Sequence, residues 1–311
     1  MTTTSLTDTA KAGLLATRWY AHRLEHDSFP GVLVLCYHGV RSPSRSTDGI
    51  PFANLHVTED TFEAHCRLIA ETCHPIDLST FVDAQLTKRP LPPRPVLVTF
   101  DDGYRSVFEL ARPLLRRYRI PASVFVCSEP VKEQRLFWFD AVARAAGEHA
   151  VDAVRALPDD ERRATAAACE TSASVGDPLA PMTSDHVRQL ADEGFAIAAH
   201  TSSHAPLGQS PPAVQYDEID SCRATLETWT GQRVDALAYP WGAPRIDYSS
   251  QTVAIAERLG FTTAFTTRPD FARPHEPALE RSRFVMLAAV SAAELAHRMA
   301  YAWVRPPSPR S

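Results

Sequence analysis

Two adjacent carboxylates, Asp101 and Asp102, end the run Val96-Leu97-Val98-Thr99-Phe100. A short run of apolar and β-branched residues reads as a fully buried strand of a parallel sheet. Two negative charges at its end are costly unless a cation or a proton compensates them. Gly103 lets the backbone turn sharply behind them, and apolar residues then recur at helical spacing, at Val107, Leu110, Leu114 and Leu115. The carboxylates therefore fall at the C-terminal end of a strand in a β–α unit, where active sites of such folds are built. A competing reading makes Asp101 the cap of the following helix and leaves Asp102 in a solvated turn.

A second strand-like run, Phe195-Ala196-Ile197-Ala198-Ala199, ends in His200-Thr201-Ser202-Ser203-His204. Histidines four apart share one face of a helical turn, and imidazole is the commonest protein ligand for zinc-like ions. One carboxylate and two histidines, each just past a buried strand, make a three-ligand metal site with open positions for water and substrate. The first apolar run, Gly31-Val32-Leu33-Val34-Leu35-Cys36, ends in Tyr37-His38-Gly39-Val40 and so repeats the placement. Against this stands a structural histidine bonded to a nearby carbonyl. Residues 234–239 form another strand pattern that stops at Pro240-Trp241-Gly242. Proline ends the ladder and glycine permits a tight turn, so the backbone there faces a ligand.

Thr99-Phe100-Asp101-Asp102-Gly103, His200-Thr201-x-x-His204 and Tyr239-Pro240-Trp241-Gly242, in this order, resemble the polysaccharide deacetylase family, carbohydrate esterases with a NodB-type homology domain. The resemblance covers about residues 31 to 290. It implies a distorted (β/α) barrel of fewer than eight strands and metal-dependent removal of N- or O-acetyl groups from sugars. Carried over residue by residue, Asp102, His200 and His204 hold a divalent ion, Zn2+ first, with Co2+, Ni2+ or Mn2+ as alternatives. Asp101 becomes the base that deprotonates the attacking water. The backbone N–H of Trp241 stabilises the oxyanion and its ring walls the sugar pocket, with Tyr104 and Tyr239 as further substrate contacts. Two departures stand out. No arginine precedes the Tyr-Pro-Trp-Gly motif at the family's usual spacing, which leaves the base without its tether. After residue 275 the only histidine is His297, inside a helical stretch, so the C-terminal half does not offer the family's usual general acid in its expected setting. The Tyr37-His38-Gly39-Val40 segment, however, resembles a subset of the family with circularly permuted motifs, in which an N-terminal histidine is the general acid. His38 then takes that role.

The elements that must position these residues follow from the rest of the chain. Of 311 residues, 44% are hydrophobic and 22% charged, as in an ordinary globular enzyme, and 25 prolines mark loop boundaries. A net charge of −5 argues against a nucleic-acid partner. No run approaches the roughly 18 apolar residues that span a bilayer, so no integral membrane segment is expected. Residues 1–30 are predicted to be a helical extension, with one helix from about Ala10 to Leu24. Lys11, Arg18, His22 and Arg23 deprive it of the apolar core of a secretory signal, which predicts a cytoplasmic protein. Six scattered cysteines read as reduced packing thiols.

The predicted fold is α/β: a single-domain distorted (β/α) barrel over 31–290 with about seven parallel strands. An α-helical insertion falls at about 130–182, and a C-terminal helix with a flexible tail over 291–311. Phe137-Trp138-Phe139 in the insertion is either its core anchor or a sugar-stacking platform. Residues 41–57 are expected to form a polar loop over the site, and His65 to lie on the surface of a helix beginning at Thr58. The substrate expected is an acetylated aminosugar, a sugar precursor or a lipid-linked glycan. Two other readings compete: a metal-dependent amidase or deformylase on a non-polymeric substrate, and a catalytically silent glycan-binding module. Retention of both aspartates and both histidines argues against the last.

Overall fold

The apolar runs become strands because each is short, rich in β-branched residues and bounded by proline, glycine or polar residues. The computed structural model describes residues 6–26, 28–44, 49–169, 172–173 and 176–302. The opening Met1 to Ser5 and the tail from Pro306 lie outside the described residues. The strands are β1 (Leu33–Tyr37), β2 (Gly39–Arg41), β3 (His56–Thr58), β4 (His74–Pro75), β5 (Pro95–Phe100), β6 (Ala122–Val126), β7 (Ala196–Ala199), β8 (Ala236–Ala238), β9 (Thr263–Phe265) and β10 (Phe284–Val285). Seven of them pair in parallel in the order β10-β1-β5-β6-β7-β8-β9, with β4 added beside β5 and a separate β2–β3 ladder. The edges are drawn together: Arg281, just ahead of β10, bridges Phe265 of β9, and the Thr266 N–H donates to the Arg281 carbonyl at 2.8 Å. The result is the distorted (β/α) barrel that the sequence predicts.

Side-chain alternation along the strands divides the core in two. Leu33, Leu35, Val96, Val98, Val124 and Ile197 pack outward under the helices. Val34, Leu97, Phe125, Ala198, Ala238 and Phe265 form a second cluster inside the barrel, joined by Phe81. Continuing the same alternation past Leu97 and Thr99 brings Asp101 to the inner side.

Helices alternate with the strands. Two precede the barrel, α1 (Leu6–Ala16) and α2 (Trp19–Glu25), where the sequence predicts one; Arg18, at φ 59°, breaks them apart. Next come α3 (Glu59–Thr72), capped by the Thr58 side chain, α4 (Leu78–Thr87) and α5 (Arg112–Tyr118). A π-helical turn at Val107–Ala111 precedes α5 and absorbs the missing N–H of Pro113. Among the described residues the insertion forms four short helices, α6 (Ser128–Glu133), α7 (Trp138–Ala146), α8 (His149–Arg155) and α9 (Asp159–Ala167). The series closes with α10 (Ser184–Asp192), α11 (Pro212–Thr230), α12 (Ser250–Arg258) and α13 (Ala292–His297). The N-terminal helices dock on α13 through Lys11–Glu294 and through Tyr20–His297. No helix among the described residues is long and apolar enough to cross a membrane.

His65 is not on the surface, as its neighbours in α3 suggested. It is fully buried, its Nε2–H donating to the Val290 carbonyl at 3.0 Å and its Nδ1 accepting from the Tyr37 hydroxyl at 3.1 Å. Burial lowers its pKa from 6.5 to about 4 against the upward pull of hydrogen bonds to the Val290 and Ser291 backbone. The folded state thus excludes a proton that the unfolded state binds below pH 6.5, so this contribution is full above pH 6.5 and is lost as pH falls toward 4. Relative to wild type, His65→Gln is expected to lose about 2 kcal/mol less stability between pH 7.5 and pH 5. Urea unfolding of both proteins at the two pH values measures the difference, and equal losses would exclude His65 as the source.

Candidate active site

Asp101 and Asp102 end β5, His38 follows β1, His200 follows β7 and Trp241 lies beyond β8, so parallel strands deliver all of them to one rim. They meet, with His204, in the lining of one cavity of about 180 Å³. Phe52 and Leu55 from the loop after β2, and Phe139 and Val151 from the insertion, close its sides. The expected rim loop over 41–57 is thus partly apolar where it faces the site.

The two histidines do not share a helical turn. Residues 200–206 form an irregular loop in which Thr201 and His204 take φ values of 64° and 59°. Asp102 and Trp241 lie in the same left-handed region, at 72° and 55°. Non-glycine residues held there cost on the order of 1–3 kcal/mol each and persist only where surrounding structure dictates the conformation. Gly242 shows how tight that structure is: at φ 73°, an added Cβ would stand 2.9 Å from the Thr267 nitrogen.

Asp102 Oδ1 is buried with no hydrogen-bond partner among the described residues. The Nε2 atoms of His200 and His204 each stand 3.4 Å from it. His200 donates from Nδ1 to the Ala238 carbonyl at 2.8 Å, which leaves its Nε2 lone pair facing the carboxylate. An orphaned carboxylate oxygen between two imidazole nitrogens fits a divalent cation, which would satisfy all three atoms together. Cys127 also lies within 4.8 Å of Asp102 and His200. Its thiol is already engaged, donating to the His200 carbonyl at 3.1 Å. Burial lowers the His204 pKa to about 3, which keeps its imidazole neutral.

Asp101 does not cap a helix. Both its oxygens are taken by Arg283, Nη1 on Oδ1 and Nη2 on Oδ2, each at 2.7 Å. Cys36 adds a thiol donor at 3.3 Å. Burial alone would raise this carboxyl, but the Arg283 charge and, next, that of His200 hold it well below the ordinary carboxylate range. The tether absent ahead of the Tyr-Pro-Trp-Gly motif is therefore supplied from the last strand. Arg283 is fully buried and lies outside the cavity lining; its guanidinium carbon is 5.5 Å from the Phe125 ring centre and 5.7 Å from that of Phe265. The signal for it was present: an arginine opening an apolar run, as costly to bury as the aspartates that closed another.

His38 lines the cavity, and its Nδ1 is buried without a partner among the described residues. One of its ring nitrogens lies within 4.8 Å of an Asp101 oxygen. His297, by contrast, is engaged with Tyr20, away from this lining. Trp241 lines the cavity, packs edge-on against His204 at 4.3 Å, and donates no hydrogen bond from its N–H to any described residue. Its loop is held by Thr267 Oγ1, donating to the Trp241 carbonyl at 2.8 Å, and by Asp247, accepting from the Ala243 N–H at 2.7 Å. Arg155 of α8 pairs with Asp247 and places its guanidinium 4.3 Å from the Trp241 ring centre. Tyr239 lines the cavity, but its hydroxyl donates away, to the Leu279 carbonyl at 2.9 Å. Tyr104 is a correction: it is outside the lining, buried, with its hydroxyl donating to Asp140 Oδ2 at 2.7 Å. The Phe-Trp-Phe cluster divides its work. Phe137 is core, Trp138 Nε1 donates to the His204 carbonyl at 3.1 Å, and Phe139 faces the cavity.

Two measurements test this geometry. His200→Ala and His204→Ala are each expected to lose stoichiometric binding of a divalent ion, read by titration and elemental analysis of the purified proteins; unaltered metal content would exclude them as ligands. Arg283→Met strands a buried carboxylate and is expected to cost about 3–5 kcal/mol in urea unfolding. Adding Asp101→Asn should return part of that loss, whereas strictly additive effects would show that the pair is not coupled.

Comparison with known proteins identifies the family and the fold. The family model for polysaccharide deacetylases matches residues 88–264. Bacillus subtilis YxkH is 21% identical over 237 residues, covering 76% of this chain and 64% of that protein. A Staphylococcus aureus poly-beta-1,6-N-acetyl-D-glucosamine N-deacetylase is 27% identical over 121 residues, 36% of this chain and 41% of that protein. The chain thus spans less than two thirds of the length of these relatives. Two solved structures share the fold: Streptococcus pyogenes deacetylase PplD in complex with acetate (TM-score 0.65, 21% identity, 90% of this chain and 100% of that one), and IcaB from Ammonifex degensii (TM-score 0.62, 20% identity, 90% and 99%). The chain belongs to the polysaccharide deacetylase family.

Proposed function

We propose that this protein is a metal-dependent hydrolase that removes the N-acetyl group from an aminosugar-containing saccharide. The observation that carries this reading is the pair of aspartates with two separate fates: Asp101 clamped by Arg283, and Asp102 left unpaired between His200 and His204. The donor set of one carboxylate and two imidazoles suits Zn2+. When bound, such an ion supplies Lewis-acid polarisation of the acyl carbonyl and makes water acidic enough to react near neutral pH.

The chain's own groups do the rest. Asp101, kept ionised by Arg283, accepts a proton from the attacking water; Oδ1, which among the described residues accepts from Arg283 alone while Oδ2 also accepts from Cys36, retains a second lone pair for it. The bidentate clamp orients this weak base, so its effectiveness comes from position more than from basicity. Water oxygen bonds to the acyl carbon, and the carbonyl oxygen becomes an oxyanion toward which the free Trp241 N–H can be aimed. Collapse breaks the carbon–nitrogen bond, with His38 giving a proton to the departing amine. The products are acetate and a free aminosugar. The apolar walls, Phe52, Leu55, Phe139 and Val151, restrict water around the reacting carbonyl.

Acetate release from acetylated aminosugars and their oligomers, with added divalent ions, tests the activity. Asp101→Asn is expected to retain metal and lose about 10²–10⁴ in turnover. His38→Ala is expected to bind metal normally and lose most on amides, least on activated acetyl esters whose leaving groups need no proton. Equal losses on both substrate classes would remove His38 from the acid role, and near wild-type turnover of Asp101→Asn would remove Asp101 from the base role.

A further inference from the structure

His200 and His204 reach Asp102 from an irregular loop in which Thr201 and His204 hold left-handed conformations. Two imidazoles can meet one ion only if their backbones are fixed to within about 0.5 Å. His200 has anchors of its own: its N–H donates to the Val126 carbonyl at 3.1 Å, and its Nδ1 to the Ala238 carbonyl at 2.8 Å. His204 lacks the second kind of tie. Its Nδ1 is buried without a partner among the described residues, and its ring rests against those of Phe139 and Trp241, at 4.7 and 4.3 Å. The place of His204 is therefore set largely by the backbone that leads to it.

That backbone is held by one residue of α11. The Ser202 N–H donates to the Glu218 carbonyl at 2.9 Å, the Ser203 N–H to Glu218 Oε2 at 2.8 Å and the Ser203 hydroxyl to Oε1 at 2.7 Å. Glu218 is only 4% exposed, and acidic side chains are seldom buried so deeply unless paired. Its partner is Arg163 of α9, whose Nη2 donates to Oε1 at 2.8 Å. Arg163 also pairs with Glu129 at 3.2 Å, and the Glu129 N–H donates to the Ser202 carbonyl at 2.8 Å. The middle of the loop is thus gripped by α11 on one side and by the insertion on the other.

A side chain needed for packing alone would be apolar, because a buried charge is costly even when paired. A carboxylate differs in accepting from the N–H and the O–H of one residue at once, through short, charge-assisted bonds. Burial raises the Glu218 pKa, and the Ser203 donors and Arg163 oppose that rise.

We propose that Glu218 is a positioning residue for the divalent-ion site: it sets where His204 stands relative to His200 and Asp102, through the backbone of Ser202 and Ser203. The inference rests on the hydrolase reading above, which supplies the ion.

Zn2+ affinity, measured by competition with a chromogenic chelator, and the visible absorption of the Co2+-loaded protein report on the ligands apart from turnover. Glu218→Ala is expected to weaken Zn2+ binding about 10–100-fold and to shift the Co2+ bands. Glu218→Gln keeps an acceptor for the Ser203 N–H and is expected to recover most of that loss. A side chain that merely stabilises the fold would lower the melting temperature of the metal-free Glu218→Ala protein and leave Zn2+ affinity and Co2+ bands as in wild type; that result overturns the proposal. Should Glu218→Ala fail to fold, Ser203→Ala decides in its place. It removes one of the three hydrogen bonds and is expected to weaken Zn2+ binding about fivefold, and unchanged affinity overturns the proposal equally. Acetate release is scored separately. Weakened metal binding in the variants upholds the positioning role even if wild type releases no acetate, an outcome that counts against the hydrolase reading alone. A wild type that binds no divalent ion overturns both.

Discussion

A guanidinium inside the barrel organises this site. Arg283 enters from the last strand, crosses to the end of β5, and meets both oxygens of Asp101 between the rings of Phe125 and Phe265. Neither charge would be tolerable there alone, since isolated buried ions cost several kcal/mol each. Together they fix the carboxylate's position and its ionisation, and Arg283 Nε, donating to the Thr266 carbonyl at 3.0 Å, ties the pair to the β9 edge where the barrel is drawn closed. Specificity of geometry is what such a pair contributes, more than net stability.

The neighbouring residue has the opposite fate. Asp102 leaves the strand in a left-handed conformation, so its side chain points away from Arg283 and toward His200 and His204. Two consecutive aspartates thus serve two different partners because the backbone turns between them. The same conformation recurs at His204 and Trp241. Strain at these positions is held in place by the strands below and by the hydrogen bonds that tie down the Trp241 loop.

The insertion belongs to the site as much as the barrel does. Phe139 and Val151 wall the cavity, Trp138 supports the His204 backbone, and Arg155 holds the Trp241 loop through Asp247 and the indole face. The insertion's short helices join the main core through Phe137, Phe139, Val142, Val151 and Val154, and they shape what can reach the catalytic loops.

Much of this was legible in the chain. Short apolar runs ending in Asp101-Asp102, His38, His200 and Trp241 identify strand ends, because period-two burial and terminal polar residues are local properties. A parallel barrel then brings those ends to one rim without further information. Other features depend on contacts distant in sequence. Arg283 is 182 residues from Asp101, and only the adjacency of β10 and β1 brings them close. His65 looked like a surface residue because α3 alone does not reveal that Tyr37 and Val290 cover it. Tyr104 adjoins the motif yet turns to Asp140 in the insertion. The amino-acid sequence by itself determined the strands, their polar ends and the chemistry those ends carry. Tertiary structure alone decided which charges pair and which remain free for a cation, because pairing of buried charges depends on distance in space, which local patterns do not encode.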